Sequence, residues 1–165
     1  MNLLNYLIII GLIILAFLLF DRYLKEPLVV KLCPVPKDLG LHNGTLGKCP
    51  NKPKCVSTQD DMNDKTHYMD PIPFEGSVEK AQETMIGIAN RREDFTLERQ
   101  EENYVHFVVT NGYWGWLDSV EMHFKEEAGK IDFRSMTRFK YGTYDMKANR
   151  KRMEFLRDEF LAKNN

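Results

Sequence analysis

The side chains best suited to chemistry crowd towards the end of the chain, in the run RSMTRFKYGTYDMKANRKR from Arg134 to Arg152. Arg134, Arg138, Arg150 and Arg152 lie there with Asp145 and Asn149. Guanidinium groups grip carboxylates and phosphates through paired hydrogen bonds, so the cluster suits an anion or a charged partner. Carboxylates also lie close in sequence. Arg150 can meet Glu154 at i,i+4 on a helix, and the others can reach Asp118 across the fold. We favour that structural pairing, with Asn149 as a buried amide bonded to loop backbone. A second set depends on strand register. With Lys125 opposite Lys130 across the loop Glu126–Gly129, Glu121 lies opposite Arg134. With Thr110 opposite Leu117, His106 joins the row, and with Gln100 opposite Tyr104, so does Glu98. A histidine among carboxylates is the raw material of acid–base catalysis, but a pocket and a reacting group are also needed. A cross-strand charge ladder on an open outer face explains Glu98, His106, Glu121 and Arg134 more economically.

The remaining candidates are structural. The three cysteines are Cys33, Cys49 and Cys55. Zinc would need two ligands beyond Cys49 and Cys55, and Cys33, His42 and His67 lack the usual spacing. A disulfide across CPNKPKC is simpler and would stiffen a proline-rich loop that cannot pack itself. Neither metal nor cofactor is expected. Tyr113, Trp114 and Trp116 share one loop, as a plug over the core or an exposed binding lip; we favour the plug. There is no phosphate-binding glycine loop, metalloprotease helix or nucleophile elbow. The formal charge of −1 gives no bulk attraction to nucleic acid.

These residues need elements to hold them. Leu3–Phe20, LLNYLIIIGLIILAFLLF, carries no charge and reads as an uncleaved single-pass anchor in the lipid bilayer. No Lys or Arg precedes it, and Phe17–Phe20 offers no small-residue cleavage pattern. Residues 1–21 are the anchor, 22–48 an extended linker, and 49–165 a globular domain. From Ser77, a capping residue, Val78, Ala81, Met85, Ile88 and Ala89 define one helix face. Strands are expected at 95–100, 104–110, 117–125 and 130–138. Their alternation puts Leu97, Val105, Phe107, Val109, Val120, Met122, Phe124, Ile131 and Phe133 on one apolar face. A second helix over 145–163 carries Met146, Asn149, Met153, Leu156 and Phe160 on one stripe, with Asp145 as its cap. The fold class is α+β: a transmembrane helix, then a two-layer domain of about four antiparallel strands with two helices on one face.

Three blocks resemble the domain-of-unknown-function family numbered 1499. They are CPNKPKCVSTQ from Cys49 to Gln59, Asp118-Ser119-Val120-Glu121, and Arg134-Ser135-Met136-Thr137-Arg138 continuing to Asp145 and Asn149–Arg152. The likeness runs from about Cys49 to residue 160. Lys54 stands where Asn is usual, Ser119 where a second acid is common, and Thr58 and Thr137 where Ser is common. The resemblance implies a domain found mainly in bacteria and plastids, often behind a signal or membrane segment, with no established reaction. Two arguments on orientation conflict. Arg22, Lys25, Lys31 and Lys37 follow the span, and the positive-inside rule would keep the domain cytoplasmic. Cysteine usage and the resemblance favour export, and we side with an extracytoplasmic (periplasmic) domain on a bacterial inner membrane or its organelle equivalent. The expected function is a non-catalytic accessory or assembly domain that binds or supports a membrane protein complex. The alternatives are a small-anion-binding domain built on the arginines, or an enzyme of unassigned class.

Overall fold

The computed structural model describes residues 2–164. Helix α1, Leu3–Tyr23, follows from the unbroken apolar run; Asn2 caps it by accepting from the Asn5 amide. It is about 31 Å long at ~1.5 Å per residue, and no residue in it is buried. Length and composition suffice to cross a membrane. The stretch expected to be an extended linker is instead helical at first: α2 spans Lys25–Leu32 and buries Val29. Pro27 falls in its first turn, where a missing amide hydrogen costs nothing.

The expected sheet of about four strands is a six-stranded antiparallel sheet. The two additions are short strands from the proline-rich region, β1 at Cys55–Ser57 and β2 at Ile72–Pro73. Both pair with β6, Lys130–Thr137, and extend the sheet beyond it. They escaped notice because runs of two or three residues show no alternation. The other strands are β3 (Phe95–Gln100), β4 (Tyr104–Asn111) and β5 (Trp116–Lys125), and the order is β1-β6-β5-β4-β3 with β2 alongside β6.

The apolar face forms as the alternation requires. Val105, Phe107, Val109, Val120, Met122, Phe124, Ile131 and Phe133 are buried in one cluster with Met85, Ile88, Met153, Leu156 and Phe160 from the helices. Leu97, on β3, remains partly exposed. Helix α3, Val78–Ala89, is capped by Ser77, whose side chain accepts from the Lys80 amide. Helix α4 begins later than expected and spans Ala148–Asn164. Met146 and Lys147 have positive φ (54° and 62°), so the chain turns sharply before the helix starts. Met146 is therefore exposed and off the buried stripe.

The other sheet face is not open. The chain between Cys33 and Lys48 lies against it, with Cys33 and Leu46 buried. A small turn, His42–Thr45, sits in this cover, with Asn43 and Gly44 both at positive φ as a two-residue hairpin turn demands.

Candidate functional site

The polar face of the sheet gathers most of the residues read as functional. His106 lies opposite Glu121, and Glu121 opposite Arg134, in the register the hairpin loop implies. Glu98 drops out. The register of β3 shifts between Leu97 and Arg99, so a bulge places Arg99 opposite His106 instead. The ladder is also not on an outer face: Arg134 and Glu121 are both at 0% exposure and His106 at 2%. Segment 33–48 is the physical reason. Arg134 Nε donates to Glu121 Oε2 at 2.7 Å, Nη1 to Asp38 Oδ2 at 2.5 Å, and Nη2 to the Asp38 carbonyl at 3.0 Å. Glu121 Oε1 in turn accepts from the Gly40 amide at 2.7 Å and the Tyr104 hydroxyl at 2.9 Å. Gly40 holds φ +98°, and Gly47 passes so near that a Cβ there would stand 2.2 Å from Arg134 Nη1. The charged pair and the covering segment therefore fold as one object.

Next to this pair, Arg138 Nε donates to Ser119 Oγ at 2.7 Å, and Arg138 Nη2 points at His106 Nε2, 3.3 Å away. A donor facing Nε2 requires that nitrogen to accept, so the ring is neutral. Burial, reinforced by the charges of Arg138, Arg99 and Arg134, holds His106 down at about 4. This suits an internal structural group better than a base working near neutrality.

Arg152 belongs to a second network, where β5 and β6 meet α4. Its Nη2 donates to Asp118 Oδ2 at 2.7 Å and to Asn111 Oδ1 at 2.9 Å. Its Nη1 donates to Asn149 Oδ1 at 2.7 Å and Ser135 Oγ at 3.1 Å. Asn149 is fully buried, and its Nδ2 donates to the Lys54 carbonyl, Thr137 Oγ1 and Asp145 Oδ2. Asp145 also accepts from the backbone amides of Lys147 and Asn149, so it caps α4 from three residues before the helix. Burial holds Asp118 above the usual carboxylate range, and Arg152 offsets part of that effect.

Arg150 turns to three carbonyls, those of Lys65, Thr66 and Tyr68, rather than to Glu154, and so pins the loop before β2. It also borders a cavity of about 510 Å³ lined by Lys65, Tyr144, Asp145 and Lys147 among others. Of the arginine cluster, Arg150 alone lines this cavity; Arg134, Arg138 and Arg152 lie inside the two networks. Among the described residues, no group of three His, Cys, Asp or Glu is placed to hold a metal ion.

Cys49 and Cys55 form a disulfide, and Cys33 is a buried free thiol. Tyr113, Trp114 and Trp116 do not plug the core. Trp116 stacks on Phe139 at 4.4 Å, while Tyr113 and Trp114 remain 59% and 47% exposed. Three participants escaped the sequence reading: Asp38, Gly40 and Tyr104 close the Arg134–Glu121 pair. His123, on β5, has a buried Nδ1 without a hydrogen-bond partner.

The arrangement defines a class: an α+β domain whose antiparallel sheet is packed by two helices on one face and closed by ion pairs on the other, behind an N-terminal apolar helix. Residues 45–160 match the family described as protein of unknown function (DUF1499), and the chain belongs to that family. Neither the curated proteins nor the solved structures contain a match.

Proposed function

We propose that the chain is a membrane-anchored accessory domain that works by binding a membrane protein rather than by catalysis. One contrast carries the reading. Arg134, Arg138, Arg152, Glu121, Asp118 and His106 are locked in buried hydrogen-bonded networks, whereas large apolar side chains stand exposed on the loop before α4. Tyr141, Tyr144 and Met146 are 69%, 55% and 76% exposed. Aromatic residues and methionine are enriched in interface cores. The positive φ of Met146 and the Asp145 cap hold the loop in shape. Helix α1, wholly unburied and apolar, supports the anchor. The Cys49–Cys55 disulfide supports an oxidising, extracytoplasmic compartment for the domain, against the positive-inside count.

Affinity purification from membranes in mild detergent tests the proposal. The wild-type chain should bring down one membrane protein at fixed stoichiometry, and a Tyr141→Ser/Tyr144→Ser/Met146→Ser variant should lose it while remaining folded. A wild-type chain that elutes alone would refute the reading. The cavity beside Lys65, Lys147 and Arg150 favours a second reading, a small-anion site. Saturable phosphate binding by the purified chain, abolished by Lys147→Ala, would support that one.

A further inference from the structure

Tyr113 and Trp114 sit at the tip of the β4–β5 hairpin, yet their nearest aromatic neighbours include residues of α1. The Tyr113 ring stacks on Phe17 at 6.4 Å, and Trp114 meets Phe20 edge-on at 6.2 Å. Phe20 ends the uncharged run, and Asp21 and Arg22 begin the polar side. At ~1.5 Å rise per residue, Phe17 lies about 4.5 Å further into the span than Phe20. If α1 spans a bilayer, a ring stacked on Phe17 lies at that depth too. We propose that the hairpin loop Gly112–Gly115 is a second membrane contact, inserting Tyr113 and Trp114 into the interfacial region of the lipid bilayer beside α1. The inference rests on α1 being a membrane span.

Three further observations fit a lipid interface. Tyr and Trp favour that zone because an apolar ring carries a polar edge. Both rings keep about half of their surface uncovered despite touching α1. The loop is also braced from behind. Trp114 stacks on Trp116 at 6.2 Å, Trp116 on Phe139 at 4.4 Å, and Phe139 meets Tyr141 at 6.0 Å. A chain of rings thus runs from α1 through Trp116 and the half-buried Phe139 to Tyr141 on the loop before α4. Positive φ at Gly112 and Gly115, 61° and 72°, forms the tight turn that carries the tip. Lys25 Nζ lies 4.5 Å from the Tyr113 ring centroid and pairs with Asp21, which with α1 in a bilayer would place it at headgroup level. The nearby charges Asp21, Arg22, Lys25 and Glu26 cancel, so insertion should depend on the rings and not on anionic lipid.

The test uses the full chain carrying Trp116→Phe, which leaves Trp114 as the sole tryptophan, reconstituted in phosphatidylcholine vesicles. Spin-labelled lipids quench its emission from a shallow position near the glycerol or a deep one near the chain end. Trp114 should be quenched more by the shallow label, resist aqueous iodide, and behave alike when half of the lipid is phosphatidylglycerol. Quenching by iodide with no effect of either lipid label would overturn the proposal. So would quenching that appears only with anionic lipid, since that would make the contact a charge effect. Flotation after carbonate washing separates the two layers of the argument. Loss of the chain from the vesicles removes the anchor and this inference together. Retention with an iodide-accessible Trp114 removes this inference alone.

Discussion

Replacing Arg134 by alanine should be among the most damaging single changes to this domain, because the residue neutralises a carboxylate that cannot reach water. Glu121 and Arg134 are both fully buried, with a closest N–O contact of 2.6 Å. Removing one partner of such a pair typically costs about 3–5 kcal/mol. Two features place the value towards the lower end. Glu121 keeps the Gly40 amide and the Tyr104 hydroxyl as donors. Asp38, whose side chain is about half exposed, can return to solvent. Against that, segment 38–48 loses its main attachment to the sheet. We expect about 3–4 kcal/mol, a fall in Tm of about 12–16 °C at ~4 °C per kcal/mol for a domain of this size. Thermal and urea unfolding of the chain in detergent would measure it. An Arg134→Met/Glu121→Leu double variant should recover most of the loss, since apolar replacements of a whole buried pair are often neutral or stabilising. A loss below about 1 kcal/mol would match an exposed pair and refute the closed face.

Gly47→Ala should destabilise by about 1–3 kcal/mol, because its Cβ would meet Arg134 Nη1 at 2.2 Å and Asp38 Oδ2 at 2.7 Å; a wild-type melt would show that segment 33–48 is free to move. Stability should fall as pH drops from about 6.5 to 4, by about 3 kcal/mol in all, because unfolded His106 takes up a proton that the folded state, with its value near 4, excludes. His123, lowered chiefly by burial, acts in the same sense. His67, raised by Asp64 in spite of burial, acts oppositely and loses its contribution as pH rises. His106→Gln should flatten the profile, and equal slopes in both proteins would refute the assignment. In the native unreduced chain Cys33 should resist thiol reagents, then react alone on unfolding, with all three cysteines reacting once reduced. Reduction should cost about 2 kcal/mol for so short a loop, and free labelling of Cys49 or Cys55 without reductant would contradict the bond.

The apolar half of the fold was legible because its signals repeat. Alternation over β4, β5 and β6 set the facing, the hairpin loops between them set the register, and a single capping serine marked the start of α3. The polar half was misjudged because alternation says which residues share a face and not whether that face meets water. His106, Glu121 and Arg134 were assigned together as they lie, but their cover comes from residues some 80 to 96 positions earlier in the chain, where nothing repeats. One local signal was available. Asn43-Gly44 is the dipeptide of a two-residue hairpin turn, and a linker free in solution has no need of one. Glu98 failed for a different reason: a bulge inserts one residue and flips everything beyond it, and its sequence mark is weak.

Burial of Arg134 also fixes where the folded unit begins. A segment that supplies Asp38 and the Lys48 carbonyl to the buried Arg134 guanidinium, and the Gly40 amide to Glu121, cannot detach without exposing an ion pair, so chain from about residue 38 shares the stability of the sheet. Cys33 extends this backwards: its thiol is buried, and the carbonyl of Leu32, which ends α2, accepts from the Lys140 amide at 3.0 Å. Helix α2 then joins α1 through Leu24 alone, whose amide still bonds to the Phe20 carbonyl at 2.9 Å. Almost no slack remains between the apolar helix and the sheet. A tether would let the domain sample many distances from a membrane, whereas this connection holds the 113–114 loop against α1 and Lys140 against the end of α2. Short, hydrogen-bonded connections of this kind limit the orientational entropy that a partner at the membrane must overcome, which is the physical advantage an accessory domain would gain from folding its own linker.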